Sequence, residues 1–113
     1  MSTTWVPERG DVVWVDMDPQ VGHEQSGRRP ALVLSPARYN AKAGLAVVCP
    51  ITSRVKGYPF EVSIPDGLPV SGVVLSDQAR SVDWRLRRAE FGCAAPSECV
   101  DEAVIKLTRI VGR

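Results

Sequence analysis

Short apolar runs separated by glycine and proline restrict this chain to a fold built from short strands. The clearest runs cover residues 12–15, 31–34, 45–49, 60–64 and 72–75, and weaker runs cover 81–84 and 89–92. The 60–64 run alternates apolar and polar side chains, which is typical of a strand with one exposed face. Several short strands at this spacing predict a small β-barrel or sandwich rather than βαβ units.

Two further segments have helical character, so the predicted fold class is mainly β with added helices (α+β). Residues 36–42 have room for one or two helical turns before Gly44. Near the C-terminus, apolar residues recur at helical spacing until Gly112 ends the pattern, and they are Val100, Ala103, Val104, Leu107 and Val111. Such a stripe predicts a C-terminal helix laid on the sheet.

Length and composition exclude several classes of protein. The 113 residues predict a single domain over 1–113 with one modest core. Without a signal-peptide pattern, or an apolar run near the roughly 20 residues that span a bilayer, we expect a cytoplasmic protein with no membrane contact. The single histidine and three cysteines without CxxC spacing predict no disulfide framework and no metal site built from His and Cys. We expect no metal and no cofactor. The net charge of +1 excludes a globally basic protein, but cations cluster locally at 85–88. Trp84, which directly precedes this cluster, either stacks on a base or belongs to the core.

A polar loop that runs directly into an apolar strand, residues 22–35, carries the first candidate chemistry. Glu24 can act as a general base. Arg29 stays charged at any working pH and presents a planar fork of donors that suits phosphate oxygens. The alternative interpretation of this pair is a weak surface salt bridge. His23 titrates near neutrality and is an alternative acid or base.

Two more polar clusters follow predicted strands. Thr52 and Ser53 can donate hydrogen bonds to phosphate oxygens, and Lys56 can contact a flanking phosphate. Asp77 and Gln78 can bond to the edges of splayed bases. Both clusters also have the composition of ordinary turns, so neither identifies a site alone.

Taken together and in order, several segments resemble the MazF/PemK family of toxin ribonucleases, most closely its MazF branch. They are GDVVWVD at 10–16, EQSGRRPALVLS at 24–35, the PITS turn at 50–53, KGYPFEV at 56–62 and SDQARS at 76–81. They extend over nearly the whole chain, and several motifs in sequence order are far more specific than one. The resemblance implies a small SH3-like β-barrel with added helices that forms a homodimer.

The resemblance also implies roles for individual residues. Arg29 matches the family's catalytic arginine, Thr52 matches its catalytic threonine, and Glu24 matches an acid with a proposed catalytic role. A second group is expected to bind the substrate, because its members lie in segments that line the RNA groove or offer cations and hydroxyls beside it. These residues are Arg28, Asn40, Ser53, Lys56, Asp77 and Gln78.

The function implied by the resemblance is that of a type II toxin, a metal-independent endoribonuclease that cuts single-stranded RNA at short sequences. Glu24 or a neighbour would remove the proton of a ribose 2′-OH, while Arg29 and Thr52 would stabilise charge on the phosphate. A MazE-like antitoxin is the implied partner. The alternative is a non-catalytic SH3-like binding module or a CcdB-like poison of DNA gyrase, which does not need these three residues to converge on one phosphate.

Overall fold

The structure, a computed structural model, describes residues 5–17 and 27–112, which form seven strands and two α-helices. The strands are β1 (Asp11–Asp16), β2 (Arg28–Val33), β3 (Ala46–Thr52), β4 (Glu61–Ser63), β5 (Val73–Leu75), β6 (Arg80–Val82) and β7 (Glu90–Ala94). Helix α1 (Ala37–Ala43) connects β2 to β3, helix α2 (Ser97–Val111) follows β7, and a 3-10 turn covers Ser76–Gln78. The prediction of a mainly β fold with two added helices is confirmed.

The strands form one antiparallel sheet in the order β4-β5-β3-β2-β1-β7, and β6 also pairs with β3. Strand β3 is the branch point, because its first residues pair with β6 and its last two residues pair with β5. The expected barrel is not closed among the described residues, since β4 and β7 at the two ends of this order are not paired with each other. Strand β4 has only three residues, and it pairs with β5.

Residues 12, 13 and 15 of β1 and residues 31–33 of β2 are buried, and they include side chains from both faces of the sheet, which explains the apolar runs in this part of the sequence. Val12 and Leu32 lie in a hydrophobic cluster with residues of α2, whereas the next residues, Val13 and Val33, lie in a second cluster. This alternation follows from the two-residue period of a strand, which directs successive side chains to opposite faces. The sheet therefore packs between two hydrophobic clusters, and this packing fixes the positions of its strand ends.

Helix α2 covers one face of the sheet over its first half. Val100 and Ala103 are buried, Val104 and Leu107 are half-buried, and Val111 is exposed. The predicted apolar stripe is thus correct except at Val111, where the helix no longer lies against the sheet. Neither helix in the described part of the chain is long and apolar enough to cross a membrane.

Asn40, which was expected to bind substrate, lies in the interior of this chain, and so does Trp84, which favours the core interpretation of Trp84. Asn40 is fully buried, and its Nδ2 donates to the carbonyl oxygens of Pro7 (2.8 Å) and Ser35 (3.0 Å). Trp84 is 5% exposed and donates from Nε1 to the carbonyl oxygen of Asn40 at 3.0 Å. A buried amide whose donors are satisfied in this way stabilises the fold.

Candidate active site

Arg29 and Thr52 meet across two adjacent strands. Strand β2 pairs with β3 so that Ala31 lies opposite Pro50, and the same register continued by two residues places Arg29 opposite Thr52. Both residues line one pocket of about 350 Å³. The other residues around this pocket are Trp14, Pro30, Ile51, Ser53, Pro69, Val70 and Ser71. Two of the three predicted catalytic residues and the predicted substrate contact Ser53 therefore share one pocket.

The Thr52 side chain is held with its hydroxyl proton available. Its Oγ1 accepts a hydrogen bond from the backbone N–H of Arg54 at 3.1 Å, so the hydroxyl can still donate to another acceptor. The peptide that follows Thr52 is packed against Gly72, because a Cβ on Gly72 would lie only 2.0 Å from the Thr52 carbonyl oxygen. Gly72 also has a φ of +112°, a conformation that disfavours other residues. Thr52 is thus fixed by a turn on one side and by a tight backbone contact on the other.

The two neighbouring arginines have different environments, because successive residues of a strand point to opposite faces. Arg28 donates to Asp16 (3.1 Å), Glu90 (2.8 Å) and the carbonyl oxygen of Arg88 (2.7 Å), so its guanidinium ties β1, β2 and β7 together. A hydrogen bond from Arg88 lowers the pKa of the Asp16 carboxyl. Arg28 lowers this pKa further, whereas burial of the carboxyl acts in the opposite direction. Arg29 is exposed and forms no ion pair with another described residue. The Arg28 guanidinium is therefore engaged within the protein, whereas that of Arg29 is available to an anion.

A second pocket, of about 250 Å³, adjoins the first at Thr52, which lines both. It brings together three of the predicted substrate-binding residues, Lys56, Asp77 and Gln78. The remaining residues around it are Arg54, Tyr58, Phe60, Glu61 and Leu75. A cation beside groups that bond to base edges is an arrangement that suits a nucleotide.

Several residues of the two pockets received no role from the sequence. Trp14, Tyr58 and Phe60 stood inside quoted motifs, and the two cations at 54 and 56 followed by two aromatic residues at 58 and 60 were an available signal. Glu61 carried no such signal, because an acid in a short strand is normally expected to face solvent. Glu24 and His23 lie outside the described residues.

Cys49 is a buried thiol, and it lines neither pocket. Burial raises the pKa of the Cys49 thiol to about 12, so it is not available as a thiolate nucleophile near neutral pH. Within 5–17 and 27–112, no three or more His, Cys, Asp and Glu side chains are grouped so that they could hold a metal ion. The functional groups of this site are a guanidinium, hydroxyls, carboxylates, an amide, an amine and aromatic rings.

Comparison with known proteins identifies the family. The sequence profile described as "PemK-like, MazF-like toxin of type II toxin-antitoxin system" matches residues 8–111. The chain belongs to this family. Among MazF/PemK relatives, it is 50% identical over 99 residues to the endoribonuclease toxin MazF of Escherichia coli K12, and the match covers 87% of this chain and 88% of the relative.

Solved structures of MazF/PemK proteins agree with this assignment. The crystal structure of MazF from Deinococcus radiodurans superposes with a TM-score of 0.89 at 56% identity, and covers 97% of this chain and 100% of that one. A MazE–MazF complex from the same organism matches with a TM-score of 0.86 at 51% identity, over 96% of this chain and 98% of that one. The MazF fold of this chain is therefore established, including the described strands that form the two pockets.

Proposed function

We propose that this MazF-like endoribonuclease toxin cuts single-stranded RNA, chiefly mRNA, at short sequences through attack by a ribose 2′-OH, without a metal ion. The observation that carries the proposal is the shared pocket of Arg29 and Thr52, which brings together a permanent cation and a hydroxyl from two paired strands. Growth arrest and inhibition of translation follow from the loss of intact mRNA.

In the proposed reaction, a base removes the proton of the 2′-OH, and the oxygen attacks the adjacent phosphorus. Glu24 is our candidate for this base. Negative charge develops on the phosphoryl oxygens, where the Arg29 guanidinium and the Thr52 hydroxyl donate hydrogen bonds. The bond from phosphorus to the 5′ oxygen breaks, and that oxygen takes up a proton. The products are a 2′,3′-cyclic phosphate, which water can open to a 3′-phosphate, and a 5′-OH end.

The second pocket supports a preference for single strands. Lys56, Asp77 and Gln78 line this pocket. In our proposal Lys56 contacts a flanking phosphate, and Asp77 and Gln78 bond to a base edge. Such contacts require bases that are unpaired and turned out of a stack. We therefore propose Lys56, Asp77 and Gln78 as substrate-binding residues, together with Ser53 of the first pocket.

The direct test incubates the purified protein with a long single-stranded RNA in excess EDTA and maps the cut sites. We expect cleavage at a short recurring sequence, with 5′-OH ends that polynucleotide kinase can label. An RNA with one 2′-deoxyribose at the mapped cut site should stay intact. Cleavage that stops with EDTA would contradict the metal-independent route, and cutting of the deoxy-substituted RNA would contradict attack by the 2′-OH.

The residue assignments are tested by Arg29→Ala and Thr52→Val in the same assay. Loss of one donor to a developing oxyanion costs roughly 10²- to 10³-fold in rate, and we expect a loss of that order for Arg29→Ala. Arg38→Ala is the matched control, because Arg38 is an exposed arginine on α1 that lines neither pocket. Full activity of Arg29→Ala would remove its proposed role.

We further propose that the chain acts as one MazF/PemK-like domain in a cytoplasmic homodimer inhibited by a MazE-like antitoxin. The family match over 8–111 supports the single domain, and the MazE–MazF complexes of D. radiodurans support the partner. An acidic antitoxin segment that lies across Arg29 and Lys56 would exclude RNA by charge complementarity. Light scattering should give twice the 12.3 kDa chain mass, and co-expressed MazE-like antitoxin should suppress RNA cleavage.

The alternative activity makes an opposite prediction in the same experiments. A gyrase poison or a simple binding module would leave the RNA intact, and a gyrase poison would inhibit DNA supercoiling. Intact RNA with inhibited supercoiling would therefore reject the nuclease and favour the alternative.

A further inference from the structure

Two neighbouring aromatic rings, of which one is exposed, line the second pocket. The ring centroids of Tyr58 and Phe60 are 5.2 Å apart, and the ring planes are inclined by 34°. Phe60 is half-buried, whereas Tyr58 is 49% exposed. Phe60 therefore supports the Tyr58 ring from the protein side and leaves part of that ring open to a ligand.

The groups around this pair are those that accompany a stacked nucleotide. Arg54 and Lys56 line the same pocket and can neutralise phosphates, while Asp77 and Gln78 can bond to a base edge. Proteins that bind single strands combine a cationic track with aromatic rings on which bases stack. Since Thr52 lines this pocket and the Arg29 pocket, a base held here belongs to a nucleotide near the scissile phosphate.

The loop that carries the aromatic pair is fixed before any ligand binds. The Glu61 carboxylate, on a residue only 9% exposed, accepts from the backbone N–H groups of Lys56 (3.1 Å) and Gly57 (2.9 Å). The Glu61 N–H donates to the carbonyl oxygen of Tyr58 at 3.1 Å. A loop held in this way loses little conformational entropy when it binds a ligand. Little of the free energy gained from contact with the Tyr58 ring is therefore spent on ordering the loop.

We propose that Tyr58, supported by Phe60, is the stacking platform for one unpaired RNA base next to the scissile phosphate. This inference rests on the proposed function, because it assigns a binding subsite of the same RNA cleft. Stacking uses the face of the ring, so the platform contributes affinity and a preference for an unstacked base. The hydroxyl of Tyr58 is not required.

The test compares Tyr58→Leu, Tyr58→Phe and Tyr39→Leu. Tyr39 is the matched control, because it lies on α1 and is exposed to a similar extent, 41%. The probe is a short single-stranded RNA that spans a mapped cut site and has a 2′-deoxyribose there, so that binding is measured without cleavage. A base stacked on an aromatic ring contributes about 1–3 kcal/mol, which is roughly a 5- to 150-fold change in Kd for Tyr58→Leu. Tyr58→Phe and Tyr39→Leu should bind within about twofold of the original protein.

Abasic substitution along the RNA identifies the stacked base. At one position near the cut site, removal of the base should weaken binding to the original protein by a similar factor. The same removal should have little further effect on Tyr58→Leu, because the partner of that base is already absent. Circular dichroism confirms that each variant is folded.

The outcomes separate this inference from the proposed function. If the original protein binds and cuts RNA but Tyr58→Leu binds as tightly, the platform is refuted and the proposed function stands. Fully additive effects of Tyr58→Leu and every abasic position also refute the platform. If the original protein neither binds nor cuts RNA, the proposed function fails, and the platform fails with it.

Discussion

The tight contact between Gly72 and Thr52 leads to a sharp prediction for Gly72→Ala. The new Cβ would lie 2.0 Å from the Thr52 carbonyl oxygen, 2.8 Å from its carbonyl carbon and 2.9 Å from Cα of Ser53. All three atoms belong to the backbone, so no flexible side chain can move aside. We expect the methyl group to displace Thr52 from its position opposite Arg29.

The size of the effect follows from these distances. Non-bonded heavy atoms prefer a separation of about 3.5 Å, so the backbone must move by about 1.5 Å to relieve the contact. Overpacking of this kind costs about 1–3 kcal/mol, and a non-glycine residue at a φ of +112° adds about 1–3 kcal/mol. A domain with about 5–15 kcal/mol of stability can remain folded after such a loss, particularly at low temperature. A shift of about 1 Å in a catalytic group can lower the rate about 10²-fold.

Gly67→Ala is the matched control. Gly67 lies in the same β4–β5 connection and has a φ of +97°, but apart from its chain neighbours no heavy atom would lie within 4 Å of the added methyl group. Gly67→Ala should therefore show the strain of a non-glycine residue at positive φ without a steric clash against another backbone segment. Urea unfolding gives the stability of each variant. Single-turnover RNA cleavage, at a urea concentration below the unfolding midpoints of both variants, gives the rate.

We expect the cleavage rate of Gly72→Ala to fall about 10²-fold, whereas Gly67→Ala keeps its rate within about twofold. The RNA dissociation constant should change less than the rate, because the second pocket is built mainly from other residues. A folded Gly72→Ala variant with the original rate would refute the argument that the Thr52 position limits catalysis. Equal rate losses in both variants would show that strain in the loop, rather than contact with Thr52, is the cause.

Two predictions concern titratable groups. The ion pair with Arg88 lowers the pKa of Asp16, so its stabilising effect is present above the ordinary value of 3.8 and is lost as pH falls through the lower folded value. Asp16→Asn should therefore lower the urea midpoint of unfolding at pH 7 and lower it by progressively less as the pH falls below 3.8. The exposed Asp66→Asn should have little effect over the same range, and a loss from Asp16→Asn that does not change with pH would contradict this. Burial raises the pKa of Cys49 to about 12, so iodoacetamide at pH 8 should modify it only after unfolding, while the partly exposed Cys93 reacts earlier by mass spectrometry. Rapid modification of Cys49 in the folded protein would show that its surroundings open.

The strand pattern could be predicted because burial leaves a local signature. The runs that became β1, β2 and β3 are apolar on both faces, and α2 repeats its apolar residues with a helical period. Closure of a barrel could not be predicted in this way, because it depends on which distant strand edges meet. The described sheet instead branches at β3 and leaves β4 and β7 apart.

Residue types alone could not separate neighbouring side chains with different roles. Arg28 and Arg29 are adjacent and identical, yet the sheet directs Arg28 to Asp16 and Glu90 and leaves Arg29 at the pocket. Asn40 is of a residue type that is common at surfaces, but both hydrogen bonds that its amide nitrogen donates are buried in this fold.

The sequence by itself determined the family, the succession of strands and helices, and the pairing of an arginine with a threonine as candidate chemistry. These features follow from the order of the motifs and from the spacing of apolar side chains, which are local properties of the chain. Only the tertiary structure decided that Thr52 joins two pockets, that Gly72 holds its backbone in place, and that Tyr58 presents a supported ring beside it. Those contacts join residues on different strands and loops, and their geometry exists only after the sheet has brought them together.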